Sequence, residues 1–142
     1  MKKLIFSGFM ATALFFTVAV KAQSNIPDAV KAALTKAYPT VKSIHWDEEN
    51  GNYEAGFKAN GKEMSVLLDA KGSILETETA ISVKELPSGV SSYLKSKFGE
   101  GYKISESAMI VKANGHKTFE AEVKGKDYLF DTAGKFIKSV KE

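Results

Sequence analysis

The sequence predicts an α+β fold built from tandem α-β-β-β-β repeats, giving an antiparallel sheet with two helices packed on one face. Three observations predict it. An apolar four-residue spacing opened by proline occurs twice, at Ile26, Val30, Leu34 and Tyr38 and again at Leu86, Val90, Leu94 and Phe98, a constant offset of 60 positions. Short alternating runs follow each, punctuated by Asn-Gly and Asp-x-x-Gly turns. The connections between those runs are hairpins, too short for the crossovers that parallel strands require.

The helices come first in each unit. Spacing by four with Ala33 and Ala37 on the same face is helical, and Pro27 sits where a missing N–H costs nothing. Pro87 holds the equivalent place, Pro39 stops the first helix and Gly99 the second. Both helices are short and one-sided, so each needs a sheet to lie on.

Four strands are expected after each helix, at 41–48, 52–59, 62–69 and 73–79, then at 102–111, 116–124, 126–131 and 135–140. Asn50-Gly51, Asn60-Gly61 and Asn114-Gly115 supply the positive φ angles of tight hairpins. Asp69-Ala70-Lys71-Gly72 and Asp131-Thr132-Ala133-Gly134 read as matched turns, with Asp accepting from turn amides and Gly taking the left-handed position. Tyr53, Ala55, Phe57 and Ala59 alternate with Glu54 and Lys58, as Phe119, Ala121 and Val123 do with Glu120, Glu122 and Lys124. That is a sheet packed on one face and wet on the other.

Residues 1–22 are expected to be a secretory signal: Lys2 and Lys3 precede an apolar stretch from Leu4 to Val20, and Val20-Lys21-Ala22 places small residues for cleavage after Ala22. An uncleaved anchor is the alternative, weakened by Ser7, Gly8, Thr12 and Thr17 within the stretch. Residues 23–142 then form a single exported domain of two repeats, 26–81 and 86–142, periplasmic or secreted, with no stable membrane insertion.

Of 20 basic and 17 acidic residues, Lys2, Lys3 and Lys21 fall in the signal, leaving 17 against 17. All the bases are Lys. A neutral domain without Arg lacks the planar fork used for bidentate phosphate and base recognition, so nucleic acid is not an expected partner. With 0 Cys there are no disulfides, thiolate nucleophiles or lipid-carrying cysteines.

Helix-opening Pro27, Tyr38-Pro39, Trp46, Tyr53, Asp69, Gly72, Pro87, Phe119, Asp131 and Gly134, taken in order, resemble the exported PepSY-like family, also described as β-lactamase-inhibitor-protein-like. The resemblance runs from Ile26 to the end. It implies two helices on an antiparallel sheet and a non-catalytic periplasmic module that binds or inhibits proteins. No inhibitory residue carries over, since no inhibitor motif matches, and the family's inhibitor relatives use disulfides that this chain lacks.

Chemistry is sparse. Asp47, Glu49 and Asn50 offer oxygen ligands, but without the alternating acids and distal Glu of a calcium loop they read as a solvated hairpin, and no metal or other cofactor is expected. His45 and His116 have no nucleophile motif beside them and are read as structural or surface residues. Glu76/Glu78 and Glu120/Glu122 alternate on strand faces where solvated charges sit, and nothing selects a catalytic pair. No catalytic residue is named.

The partner-binding residues expected are Trp46, Leu67 and Leu129. Leu67 and Leu129 hold matching places before Asp69 and Asp131 on the nominally wet face, and Trp46 shares the phase of Ile44, which leaves core or surface open. The leading reading is a non-enzymatic module recognising an envelope protein or peptide through the open sheet face or an edge strand, in an inhibitor- or chaperone-like role. A small-ligand carrier is the alternative, marked by an enclosed pocket of several hundred Å³ between helices and sheet. A metal-dependent enzyme is the remote third.

Overall fold

Pro27 and Pro87 stand immediately before the two helices, α1 (Asp28–Ala37) and α2 (Ser88–Phe98). The Pro27 carbonyl accepts from the Val30 and Lys31 amides, and the Pro87 carbonyl from Val90. The computed structural model describes residues 25–141, so the expected signal at 1–22 lies outside the described residues.

Eight strands follow in order: β1 (Ile44–Glu49), β2 (Asn52–Ala59), β3 (Lys62–Asp69) and β4 (Ile74–Ala80), then β5 (Ser107–Lys112), β6 (Lys117–Glu122), β7 (Lys126–Phe130) and β8 (Phe136–Lys141). They form one antiparallel sheet in sequence order, with β1 and β8 at its edges and β4 joined to β5 across the middle. The fold is α+β.

The helices cover one face through two adjoining cores. Val30 and Leu34 of α1 pack with Ala55, Phe57, Val66 and Leu68, and Tyr38 lies on Phe57 at 4.8 Å between ring centroids. Val90 and Leu94 of α2 pack with Ala121, Val123, Tyr128 and Phe130, and Tyr93 stacks on Phe136 at 4.5 Å. Each core sits under its own helix because each unit alternates its own apolar residues inward.

The Asp-x-x-Gly turns seat the helices. Asp69 Oδ1 accepts the Lys71 and Ser73 amides, and Asp131 Oδ1 those of Ala133 and Lys135. Gly72 and Gly134 have φ of 85° and 81°; a Cβ on them would come within 2.7 Å of the Ala29 carbonyl oxygen and 2.8 Å of Gly89 Cα respectively. Glycine lets the turn touch the first turn of the helix, backbone against backbone.

Three local expectations are corrected. The strand expected from 102 begins at Ser107, because Gly99 and Gly101 take positive φ and residues 102–106 climb from α2 with Tyr102 and Ile104 against the second core. Asn50-Gly51 and Asn60-Gly61 both have positive φ, as two-residue hairpins need, but Asn114 does not; its Oδ1 accepts the His116 amide instead. The strand expected to run to Lys124 ends at Glu122, and Lys124-Gly125, both at positive φ, make the tight turn before β7.

Candidate functional site

Register decides which side chains share the open face. Leu67 pairs with Glu54 and Glu76, and Ser65 with Gly56 and Glu78, so all lie on the face away from the helices. Glu78 pairs with Ile110, Ala80 with Ala108, Ala108 with Glu120, and Glu120 with Leu129, carrying the same face across β5, β6 and β7. Carboxyls alternate there with small residues: Gly56, Ser65, Ala80 and Ala108 sit among Glu54, Glu78 and Glu120.

Small residues between long ones leave space, and the open face holds a hollow of about 690 Å³. Its floor comes from Glu54, Gly56, Ser65, Glu78, Ala80, Ala108 and Glu120, and its walls from 81–83 and 105–107. It is half-open to solvent, and it lies on the side of the sheet opposite the helices.

Both walls are pinned. Ser82 and Glu85 form a capping box around a 3₁₀ turn at Val83–Glu85, and Lys62 Nζ reaches Glu85 Oε1, bringing the β2–β3 turn to the same point. The Ser82 amide and then Lys62 hold the Glu85 carboxyl below the ordinary range. On the other side, Ser107 Oγ donates to the Ile81 carbonyl at 2.8 Å and Ser105 Oγ to Glu122 Oε1 at 2.6 Å.

The floor carries unusual charge. Burial, followed by the nearby Glu120, Glu76, Glu54 and Asp127 carboxylates, pushes the Glu78 carboxyl up to about 9. Burial, with Asp127, Glu76, Glu106 and Glu122 next, pushes Glu120 up to about 8. Glu76 is also raised by burial, partly offset by Lys112 opposite it. Ser65 Oγ donates to Glu54 Oε1. A neutral carboxyl donates a hydrogen bond, and an ionised one holds a cation; this floor is suited to both.

Leu67 and Leu129 are half-buried on the open face, each the cross-strand neighbour of a hollow carboxyl, Glu54 and Glu120. The two leucines are four strands apart, about 19 Å measured across the strands, and the register offsets them along the strands as well. Both stand where the ladder slips, between Leu67 and Leu68 and between Leu129 and Phe130, which leaves Leu75 and Ile137 as the extra residues of matching bulges. Trp46 pairs with Ala55 and packs against the first core, so it is on the helix side and not with Leu67 and Leu129. The phase it shares with Ile44 decides its place.

Glu54, Glu78 and Glu120 read from the sequence as solvated strand carboxylates, whereas all three line the hollow. The signal that was present is the phase they share with Gly56, Ser65, Ala80 and Ala108. His45 Nε2 lies 3.1 Å from Asp47 Oδ2 at the exposed β1 edge. Among the described residues no three His, Cys, Asp or Glu side chains are grouped to hold a metal ion, and no helix is long and apolar enough to cross a membrane.

The fold is shared with solved structures. A protein from Bacteroides eggerthii DSM 20697, described as periplasmic, superposes with a TM-score of 0.71 at 21% identity over 80% of this chain and 87% of its own. A DUF2874 family protein from Bacteroides uniformis ATCC 8492 gives 0.71 at 23% identity, covering 80% and 88%. A BLIP-like protein from Bacteroides fragilis NCTC 9343 gives 0.64 at 27% identity, covering 80% and 85%. No family model matches the chain, and no curated protein matches it.

Proposed function

We propose that this protein is a non-enzymatic periplasmic binding module that seats a positively charged, protruding segment of a protein partner in the hollow of its open sheet face. The observation that carries the reading is the lining of that hollow: Asp47, Glu54, Glu63, Glu78, Glu106 and Glu120 against His45 and Lys58 as the basic groups. Lys58 is already engaged, its Nζ 3.6 Å from Glu63 Oε1. Acidic groups in a half-open basin with low-dielectric walls attract and orient a lysine or arginine side chain.

Leu67 and Leu129 are the proposed apolar contacts on the two flanks, beside Glu54 and Glu120. Strand addition is the weaker route: β8 presents Lys138 and Lys141 along its edge, and edge lysines oppose pairing with another strand. The solved structure described as periplasmic and the export signal expected at 1–22 support the compartment. The BLIP-like neighbour supports a role in partner binding, and PepSY-like membership is part of the same proposal.

A small cationic ligand is the second reading, favoured by a volume of about 690 Å³, within the span of small-molecule sites. That hollow is not the enclosed pocket between helices and sheet expected of a carrier, and its openness favours a macromolecular partner. Calorimetry with a trilysine peptide, its acetylated form and spermidine separates the readings. Binding of trilysine that is lost on acetylation and in the Glu78→Gln/Glu120→Gln double variant is expected. Tight binding of spermidine with none of the peptide would favour the carrier, and no binding of any of them would overturn both.

A further inference from the structure

Glu78 on β4 and Glu120 on β6 flank β5, which presents only Ala108 and Ile110 to them. Both carboxyls open into the same hollow. The groups acting on them from the packed strands are themselves acidic: Glu54 from β2, Glu76 from β4, Asp127 from β7, and Glu106 and Glu122 beside Glu120. Among the described residues, no base of this face stands directly across the ladder from Glu78 or Glu120. Lys112 stands opposite Glu76, Lys58 pairs with Glu63, Lys138 stands opposite Leu129, and His45 pairs with Asp47.

Resting on the binding reading above, we propose that the hollow takes its cationic group in exchange for protons held by Glu78 and Glu120, so that occupancy follows pH as well as concentration. In the empty hollow, burial and the surrounding carboxylates keep a proton on each, which removes two charges from a crowded site. A lysine ammonium seated between them supplies the opposite charge, favours the ionised forms and releases protons to solvent; no bond to carbon changes. For each proton released, linkage makes the affinity rise about tenfold per pH unit below the free-state titration.

The test uses the purified protein labelled with ¹³C at glutamate side chains. Without ligand, two carboxyl resonances are expected to titrate above pH 7, one vanishing in Glu78→Gln and the other in Glu120→Gln. Trilysine calorimetry at pH 6 and pH 7, in two buffers of different ionisation heat, is expected to show net proton release and about tenfold tighter binding at the higher pH for a one-proton exchange. Titration of both carboxyls in the ordinary acidic range would overturn the exchange even where the peptide binds. So would binding with no buffer-dependent heat. High titration with no binding of trilysine would instead overturn the binding reading, and the exchange with it.

Discussion

Lys62 Nζ lies 3.2 Å from Glu85 Oε1, so the β2–β3 turn is tied to the stretch of chain that walls the hollow. Glu85 also takes the Ser82 amide on its other oxygen at 2.8 Å. The ion pair is solvent-exposed and contributes little alone, whereas the amide bond fixes the backbone at the wall. Glu85→Ala is therefore expected to lower the thermal midpoint more than Lys62→Ala, and to speed hydrogen exchange at the Ser82 amide. Equal effects of the two substitutions would place the weight on the ion pair instead.

Gly134 and Gly115 have the same φ of 81°, but only Gly134 touches a helix. Alanine at Gly115 meets nothing within 4 Å and carries only the left-handed penalty, about 1–2 kcal/mol. Gly134→Ala adds a collision with the Gly89 backbone and is expected to cost at least about 1 kcal/mol more. Chemical denaturation of both variants gives the difference, which isolates the close seating of α2.

Stability should be greatest at mildly acidic pH. Glu78 and Glu120 are raised from 4.5 to about 9 and about 8, so the folded protein keeps protons that the unfolded chain has lost. Their contribution is full below the unfolded value and is lost as pH rises through the folded ones. Asp69 and Glu85 act oppositely: their carboxyls are lowered by backbone amides, and their contribution is lost as pH falls. Thermal midpoints are expected to peak at about pH 5 and decline toward pH 9, with the alkaline decline flattened in Glu78→Gln. A midpoint that climbs steadily from pH 5 to pH 9 would contradict this.

Trp46→Ala and Leu67→Ser should separate stability from surface. Trp46 packs on the first core while half-buried, so its removal is expected to cost about 2 kcal/mol, less than the ~3–5 of a fully buried ring. Leu67→Ser and Leu129→Ser, on the open face, should each cost under about 1 kcal/mol. Urea denaturation reads all three.

The strands at 52–59 and 62–69 were legible to the residue because alternation, Asn-Gly turns and Asp-x-x-Gly agree along them. The stretch at 102–106 was not, since Tyr102 and Ile104 alternate like a strand while the two preceding glycines redirect the chain. The hollow was hidden for a different reason. It depends on cross-strand register, which sets Glu78 beside Ser65 and Ala108 beside Glu120 at sequence separations no local pattern reaches. Leu67 and Leu129 were found by their repetition, and the matching bulges give a scaffold reason for that agreement.

The floor of the hollow crosses from β4 to β5, drawing Glu54, Ser65 and Glu78 from one unit and Ala108 and Glu120 from the other. A protein with one unit would have half a basin and an open β4 edge, and two copies would have to meet there to complete it. Joining the units in one chain keeps the basin assembled at any dilution. It also frees the two sides from symmetry: by register Glu54 and Glu120 hold corresponding places, while the counterpart of Glu78 is Val140. A symmetric pair of copies would be obliged to bind two of everything or something symmetric; the fused chain can present a single, lopsided seat.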